Sequence, residues 1–124
     1  MLSIGTIVIN AADMQRAVAF WSAALAYEPV RQVENDWATL GPTTETGPRL
    51  SIQLSDRVAP ETPHAHLDLY AGDDADQAAE IERLLALGAT RVDWPLYPKG
   101  PRDFEVLADP EGNRFCVINT SHPG

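Results

Sequence analysis

At the start of the chain, apolar and polar residues alternate as they do in a β-strand. Apolar residues then recur with the spacing of an α-helix. Residues 3–10 alternate between two faces, which predicts a strand with Ile7 and Ile9 on its apolar face. Asp13 then predicts the N-cap of a helix that runs to about Ala26. The apolar stripe of this helix is Met14, Val18, Trp21 and Leu25. The stripe is predicted to pack on the Ile7 and Ile9 face of the strand.

Short strands and turns fill the rest of the first half. The pattern predicts a hairpin over 29–34 and 37–40, then a loop rich in proline and glycine, and a strand over 49–54. Residues 55–63, which hold two prolines and mixed charge, are predicted to form a linker. The first half therefore has the order strand, helix and three further strands.

The same order of elements returns after the linker. A strand is predicted over 64–70, followed by a helix from caps at Asp73 and Asp74 to about Leu87. Asp74 and Gln77 have the spacing of a capping box. The buried stripe of this helix is predicted to be Ala78, Ile81, Leu84 and Leu85. Strands over 90–93, 104–107 and 114–119, a turn over 109–113 and a frayed tail over 120–124 complete the chain.

A constant offset relates the two halves. Three pairs of corresponding residues lie 60 positions apart, namely Thr6 and His66, Asp13 and Asp73, and Leu25 and Leu85. This offset predicts two βαβββ modules, at about 1–57 and about 64–120, within a single domain over 1–124. The predicted fold class is α+β, with a curved mixed sheet, helices on its convex side and a pocket on its concave side.

Composition narrows the class of protein. The 124 residues are 44% hydrophobic and 22% charged, which is typical of a globular domain. A formal charge of −9 argues against nucleic acid as a partner. The start of the chain shows no secretion signal, and no apolar run approaches the roughly 20 residues of a membrane helix. The single cysteine, Cys116, fits a reducing compartment, so we expect a cytoplasmic protein that does not bind membranes.

The strand predicted over 64–70 carries the most reactive side chains. Alternation places His64, His66, Asp68 and Tyr70 on one face. His66 is the best candidate for catalysis, although the same imidazole could hold the pocket together or bind a polar group of a ligand. Asp68 could orient a histidine, or could be a solvated carboxylate at the end of a strand.

Three aromatic residues are candidates for a ligand-binding wall. Trp37, Trp94 and Tyr97 could line a pocket, or could pack in the core or in a dimer contact. The sequence has no Ser-His-Asp order, phosphate-binding loop or CxxC pair, so hydrolysis by a nucleophile, nucleotide binding and dithiol redox chemistry have no support.

Three motifs together resemble one known family. They are residues 13–21 after the first strand, His66-Leu67-Asp68-Leu69 before a capped helix, and the segment 109–116 with the sequence DPEGNRFC. They resemble the glyoxalase/bleomycin resistance protein/dioxygenase family of the vicinal oxygen chelate superfamily. The resemblance implies a homodimer whose curved sheet forms within one chain or across two, and an activity such as that of a lyase, isomerase or dioxygenase.

The resemblance also implies four metal-ligand positions, one on the first and one on the last strand of each half. On this sequence the positions fall on Thr6, Gln53, His66 and Cys116. His66 and Gln53 match the residue types usual in the family, whereas Thr6 and Cys116 depart from them. A threonine hydroxyl is a poor ligand, and a lone buried cysteine is more often a small apolar residue.

Two hypotheses follow from this departure. The favoured one is a small-molecule-binding protein without a catalytic metal or other cofactor. Its predicted pocket residues are Thr6, Trp37, Gln53, His66, Asp68, Trp94 and Cys116. The alternative is a divalent-metal-dependent lyase, isomerase or dioxygenase with His66 and Gln53 as the remaining ligands.

Overall fold

The computed structural model describes residues 1–44 and 46–121, so the last three residues of the predicted tail lie outside the described part of the chain. Contacts between residues divide the chain into two compact units. The first unit spans residues 1–58, and the second begins at Ala59.

The first unit contains five elements in the predicted order. They are β1 (Thr6–Ala11), α1 (Met14–Leu25), β2 (Tyr27–Pro29), β3 (Trp37–Pro42) and β4 (Arg49–Leu54). The four strands form one mixed sheet in the order β1-β4-β3-β2. β1 runs parallel to β4, and the other neighbours are antiparallel.

Helix α1 begins where the sequence predicts. The side chain of Asp13 accepts a hydrogen bond from the backbone N–H of Arg16 at 3.1 Å, and Ala26 ends the helix in the left-handed region with φ 54°. The buried residues are Met14, Ala17, Phe20 and Trp21. The helix packs mainly on β2, β3 and β4, and Ile7 on the outer strand β1 remains 36% exposed. Ile7 pairs in register with the buried Leu50, but the helix lies mainly over the other three strands and leaves Ile7 at the edge of the predicted packing.

The predicted first hairpin is displaced toward the helix. β2 ends at Pro29, so residues 30–34, which the pattern assigned to a strand, lie in the connection to β3. The N–H of Val30 still donates to the carbonyl of Thr39 at 2.9 Å. Val30 and Val33 are 43% and 36% exposed, so the two apolar side chains of this segment are not buried against a core.

The second unit repeats this architecture. It contains β5 (Leu67–Gly72), α2 (Asp74–Leu87), β6 (Thr90–Arg91), β7 (Phe104–Ala108) and β8 (Arg114–Asn119). The strand order β5-β8-β7-β6 is the same as in the first unit, and β5 is again parallel to β8. The predicted α+β class and its two βαβββ modules are therefore confirmed.

Helix α2 has a capping box one residue earlier than predicted. The side chain of Asp73 accepts from the N–H of Asp76 at 2.9 Å, and the Asp76 carboxylate accepts from the N–H of Asp73 at 3.3 Å. Gln77 donates instead to the carbonyls of Asp103 and Val117, at 3.2 and 3.0 Å. This side chain ties the helix to the sheet and so cannot serve as a cap.

Strand pairing separates the two faces of the second sheet. In the register of β5, β7 and β8, Asp68 lies opposite Cys116, and Cys116 lies opposite Val106. Partners in register share a face, so these three residues lie on one side of the sheet. Phe115 and Val117 lie on the other side and are each 1% exposed. Helix α2 covers that side, and its buried residues are Ile81 and Leu84. The face with Asp68 and Cys116 is thus free of the helix.

The turn between β7 and β8 is held by one buried carboxylate. Asp109 is 3% exposed and accepts from the backbone N–H groups of Glu111 and Asn113, each at 2.9 Å. Gly112 adopts φ 89°, which favours glycine. Asp109 therefore belongs to the turn, as the sequence indicates.

Candidate functional site

Three reactive side chains of the second unit meet on the face that α2 leaves open. The Nε2 atom of His66 lies 3.0 Å from Oδ1 of Asp68, and the thiol of Cys116 forms a hydrogen bond with the Asp68 carboxylate. The nitrogen, oxygen and sulfur atoms of the three side chains all lie within 4.8 Å of one another. We call these three residues the polar cluster.

Strand register brings the polar cluster together. Asp68 in β5 pairs with Cys116 in the parallel strand β8, which places their side chains side by side. His66 directly precedes β5, so its imidazole reaches Asp68 from the end of the strand. His64, predicted to share the strand face with His66, lies before the strand and does not line the pocket described below.

Burial and a neighbouring carboxylate keep Cys116 protonated. Cys116 is 5% exposed, and this burial together with the charge and hydrogen bond of Asp68 raises its pKa to about 12. A thiol is a poor nucleophile, because the thiolate is the reactive form. The structure therefore gives Cys116 the role of a hydrogen-bond donor to Asp68 in the metal-free protein.

A pocket of about 400 Å³ opens over the polar cluster. Its lining residues are His66, Asp68, Tyr70, Trp94, Leu96, Asp103, Phe104, Cys116 and Ile118. All of them belong to the second unit. The wall formed by Trp94, Leu96, Phe104 and Ile118 is apolar, and we call it the apolar wall. Such a combination of apolar walls with a few polar groups is typical of small-molecule sites.

The loop that carries Trp94 and Leu96 is fastened to β7 by Tyr97. The hydroxyl of Tyr97 accepts from the N–H of Val106 at 2.7 Å and donates to Glu105 at 3.1 Å. The guanidinium of Arg102 lies 3.7 Å from the centroid of the Tyr97 ring and donates to Glu105 at 3.0 Å. Burial is the main cause that raises the pKa of Tyr97, so its hydroxyl keeps the proton that it donates.

The first unit has hydroxyl groups where the second has its polar cluster. Thr6 corresponds to His66, and the registers of the two parallel strand pairs make Ser51 the counterpart of Cys116. The Ser51 hydroxyl lies 2.8 Å from the Thr6 hydroxyl and 3.0 Å from that of Thr39. These hydroxyl groups form hydrogen bonds with one another and offer no imidazole, carboxylate or thiol at this position.

Two further residues predicted to line the pocket lie in the first unit. Gln53 is exposed at the end of β4 and donates to the side chain of Asn10 at 3.3 Å. The indole N–H of Trp37 donates to the hydroxyl of Thr39 at 2.9 Å. Of the seven predicted pocket residues, His66, Asp68, Trp94 and Cys116 line the pocket of the second unit.

The pocket also contains residues that the sequence did not single out. Ile118 lies two positions after Cys116 in β8. Residues two apart in a strand share a face, so the alternation of β8 could have predicted that Ile118 lines the pocket. Asp103 and Leu96 lie in an irregular segment. Because this segment has no helical or strand periodicity, the sequence does not predict which way these side chains point. Only the fold of the loop brings them to the pocket.

The polar cluster fits one class of metal. An imidazole nitrogen, a carboxylate oxygen and a sulfur within 4.8 Å of one another match the ligands of zinc, whose catalytic sites keep three protein ligands and an open position. The residues proposed from sequence for a metal were His66 and Gln53. Within the second unit, the side chains beside His66 are those of Asp68 and Cys116.

Comparison with known proteins identifies the family. A family model described as a glyoxalase-like domain matches residues 6–118. The chain therefore belongs to the glyoxalase-like domain family. A comparison of the sequence with curated proteins gives no significant match.

Solved structures show the same fold at low sequence identity. A glyoxalase-related enzyme from Fulvimarina pelagi is 16% identical with a TM-score of 0.73, over 97% of this chain and 89% of that one. A family enzyme from Burkholderia phytofirmans PsJN is 15% identical with a TM-score of 0.72, over 95% and 98%. The fosfomycin resistance protein FosX from Listeria monocytogenes is 15% identical with a TM-score of 0.75, over 98% and 93%. A variant of FosX has been solved with Mn(II) and 1S,2S-dihydroxypropylphosphonic acid.

Proposed function

We propose that this protein binds a small, partly apolar organic molecule in the pocket of its second unit. The observation that carries the proposal is a cavity of about 400 Å³ that is lined both by the apolar wall and by the polar cluster. The volume suits a ligand of about the size of one aromatic ring with a short polar substituent. His66 and Asp68 are the groups proposed to recognise that substituent.

A screen and two matched variants test this proposal. A thermal-shift screen of small aromatic and dicarbonyl compounds identifies a ligand, since a compound that binds the native state raises the unfolding temperature. Calorimetry then compares His66→Ala with His64→Ala, whose histidine does not line the pocket. We expect His66→Ala to weaken binding more than it lowers stability. Binding that survives His66→Ala, accompanied by a large loss of stability, would show that His66 only holds the fold together.

A metal-dependent lyase, isomerase or dioxygenase is the second candidate function. The donor set of the polar cluster supports it, and zinc bound there would supply a Lewis acid for a substrate oxygen. Elemental analysis of protein purified without a metal-affinity tag tests this candidate. Zinc in a 1:1 ratio that is lost in His66→Ala but retained in His64→Ala would favour the enzyme. Absence of bound metal, and no change in unfolding temperature with any divalent ion, would exclude it.

The pocket does not favour a phosphonate such as the one bound by FosX. Recognition of a phosphonate depends on cationic side chains, and arginine and lysine are the usual ones. Neither occurs among the described residues that line the pocket. We therefore propose that this protein and FosX share a fold but take different ligands.

Two further proposals concern the whole chain. The homodimer implied by the family resemblance is tested by light scattering during gel filtration, where the expected mass is twice 13.5 kDa.

No helix of the described residues is long and apolar enough to cross a membrane. A cytoplasmic location is our proposal, and a fluorescent fusion in the source cell tests it.

A further inference from the structure

We propose that the pocket of the second unit selects an organic cation, such as an amine or quaternary ammonium group attached to an aromatic or branched apolar body. The inference rests on the proposed function and adds the chemical class of the ligand. It follows from the charges that line the pocket, from the engagement of the basic residues near it, and from the aromatic rings of its wall.

Two carboxylates and one imidazole line the pocket, and the imidazole of His66 is paired with one of the carboxylates. Asp68 and Asp103 both line it, whereas no lysine or arginine does so among the described residues. The Asp68 carboxylate is engaged by His66 and by the thiol of Cys116. The Asp103 carboxylate has no side-chain partner in the described part of the chain, although its backbone carbonyl accepts from Gln77. A half-buried carboxylate without a partner, facing a cavity, is a site for a cation.

The basic residues closest in sequence to Asp103 do not offset this charge. Arg102 stacks on the ring of Tyr97 and is paired with Glu105 at 3.0 Å. Lys99 is exposed and does not line the pocket. From Ala59 onward the chain has twelve acidic and five basic residues, so the second half holds most of the net charge of −9. The field at the pocket therefore attracts cations and repels anions.

Aromatic rings complete the site for a cation. Trp94 and Phe104 belong to the apolar wall, and Tyr70 lines the same pocket while 79% exposed. The face of an aromatic ring attracts a cation, most strongly for tryptophan. An ammonium group beside Asp103 would leave its apolar body against Trp94 and Phe104. A neutral ligand gains only the second contact, and a carboxylate ligand meets repulsion from Asp68 and Asp103.

Three probes of nearly equal shape test the inference. Phenethylamine, 2-phenylethanol and 3-phenylpropionate carry a positive, neutral and negative group on the same phenylethyl body. Calorimetric titration of the full chain at neutral pH and low salt compares their dissociation constants. We expect the amine to bind about tenfold more tightly than the alcohol, and the carboxylate to bind more weakly than both, as charge-assisted and cation–π contacts indicate.

Two variants of equal charge change locate the effect. Asp103→Asn removes the carboxylate that has no partner, and Glu82→Gln removes an exposed carboxylate on α2 that does not line the pocket. We expect Asp103→Asn to weaken binding of the amine about fivefold while leaving the alcohol unchanged. Glu82→Gln is expected to change neither. Unfolding temperatures of both variants are measured alongside, so that a loss of fold is recognised; if Asp103→Asn does not fold, Asp68→Asn takes its place.

The outcomes separate the two proposals. Equal binding of the amine and the alcohol, tighter binding of the carboxylate, or equal effects of Asp103→Asn and Glu82→Gln would overturn the choice of a cation and leave the small-molecule pocket standing. If none of the three probes binds at millimolar concentration, the cation proposal fails. The same result for every compound of the thermal-shift screen would also contradict the proposed function.

Discussion

Asp68 is the residue on which the polar cluster depends, because it contacts both of the other members. Its carboxylate lies 3.0 Å from His66 Nε2 and accepts the hydrogen bond of the Cys116 thiol. In a catalytic cysteine site the histidine usually lies next to the sulfur and withdraws its proton. Here a carboxylate lies next to the sulfur and opposes loss of the thiol proton, so the arrangement disfavours nucleophilic attack by Cys116.

Removing the charge of Asp68 should make Cys116 more reactive. In Asp68→Asn, the carboxylate no longer opposes formation of the thiolate, so the pKa of Cys116 falls from about 12. We expect iodoacetamide to modify the variant at least several times faster than the unchanged protein at pH 8. Glu82→Gln, with the same change of charge outside the pocket, is the control. Equal rates in all three proteins would show that burial alone protects the thiol.

The same thiol should make stability depend on alkaline pH. The pKa of Cys116 is about 12 in the folded protein against an ordinary value of 9.0, so between these values the folded state binds the proton that the unfolded state has lost. Stability therefore falls as pH rises from about 9 towards 12. Cys116→Ser, which retains a donor for Asp68, should lose about 1 kcal/mol less than the unchanged protein between pH 8 and pH 10. Urea unfolding at the two pH values measures this difference, and parallel losses would contradict it.

At the scale of elements, the loop that carries Trp94 and Leu96 depends on Tyr97 for its attachment to β7. Tyr97→Phe removes the hydroxyl that accepts from the N–H of Val106, and an unpaired buried N–H costs about 1–3 kcal/mol. We expect a comparable loss in the free energy of unfolding, together with weaker ligand binding because Trp94 and Leu96 are less well held. Tyr27→Phe, which removes an exposed hydrogen bond to Pro48, is the matched control. Tyr97→Phe with unchanged stability and affinity would show that the loop is held by other contacts.

The N-cap of α2 allows a second test at this scale. Asp73→Ala removes the acceptor for the N–H of Asp76, which should cost about 1 kcal/mol of stability. Asp73→Asn retains a capping oxygen and should cost little. Urea unfolding of the two variants measures the difference. Equal losses in both would assign the effect to the charge of Asp73 rather than to the hydrogen bond.

Element boundaries were predictable wherever a strong local signal marked them. Asp13 and Asp73 cap their helices 60 residues apart, and β4 and β8 have the predicted bounds. The hairpin after α1 was misplaced because Val30 and Val33 are β-branched residues that favour strands, yet both stay exposed. Periodicity reports where a segment could be buried, whereas only tertiary contacts decide whether it is.

At the scale of the whole molecule, the sequence predicted the repeat but not the polar cluster. His66 and Cys116 were recognisable from their motifs, yet their link through Asp68 depends on the register of β5 and β8, which are distant in the chain. The same register makes Ser51 the counterpart of Cys116, where the family resemblance had implied Gln53. The register between strands that are distant in the chain is set by tertiary packing, so such pairings cannot be predicted from spacing alone.

The polar cluster and the pocket both lie in the second of two similar modules. The first module has hydrogen-bonded hydroxyls at positions where the second has an imidazole and a thiol. The described lining of the pocket likewise belongs to the second module. We therefore expect ligands to be recognised by the second module, while the first supplies no equivalent cluster among its described residues.

The most direct test of this account is the mapping of a bound ligand by amide chemical shifts. Titration of isotope-labelled protein with the tightest compound from the thermal-shift screen reports which backbone amides change environment. We expect the largest changes to cluster at residues 66–70, 94–104 and 116–118, around the pocket. Changes confined to residues 1–58, or spread evenly over the chain, would contradict the claim that the second unit holds the binding site.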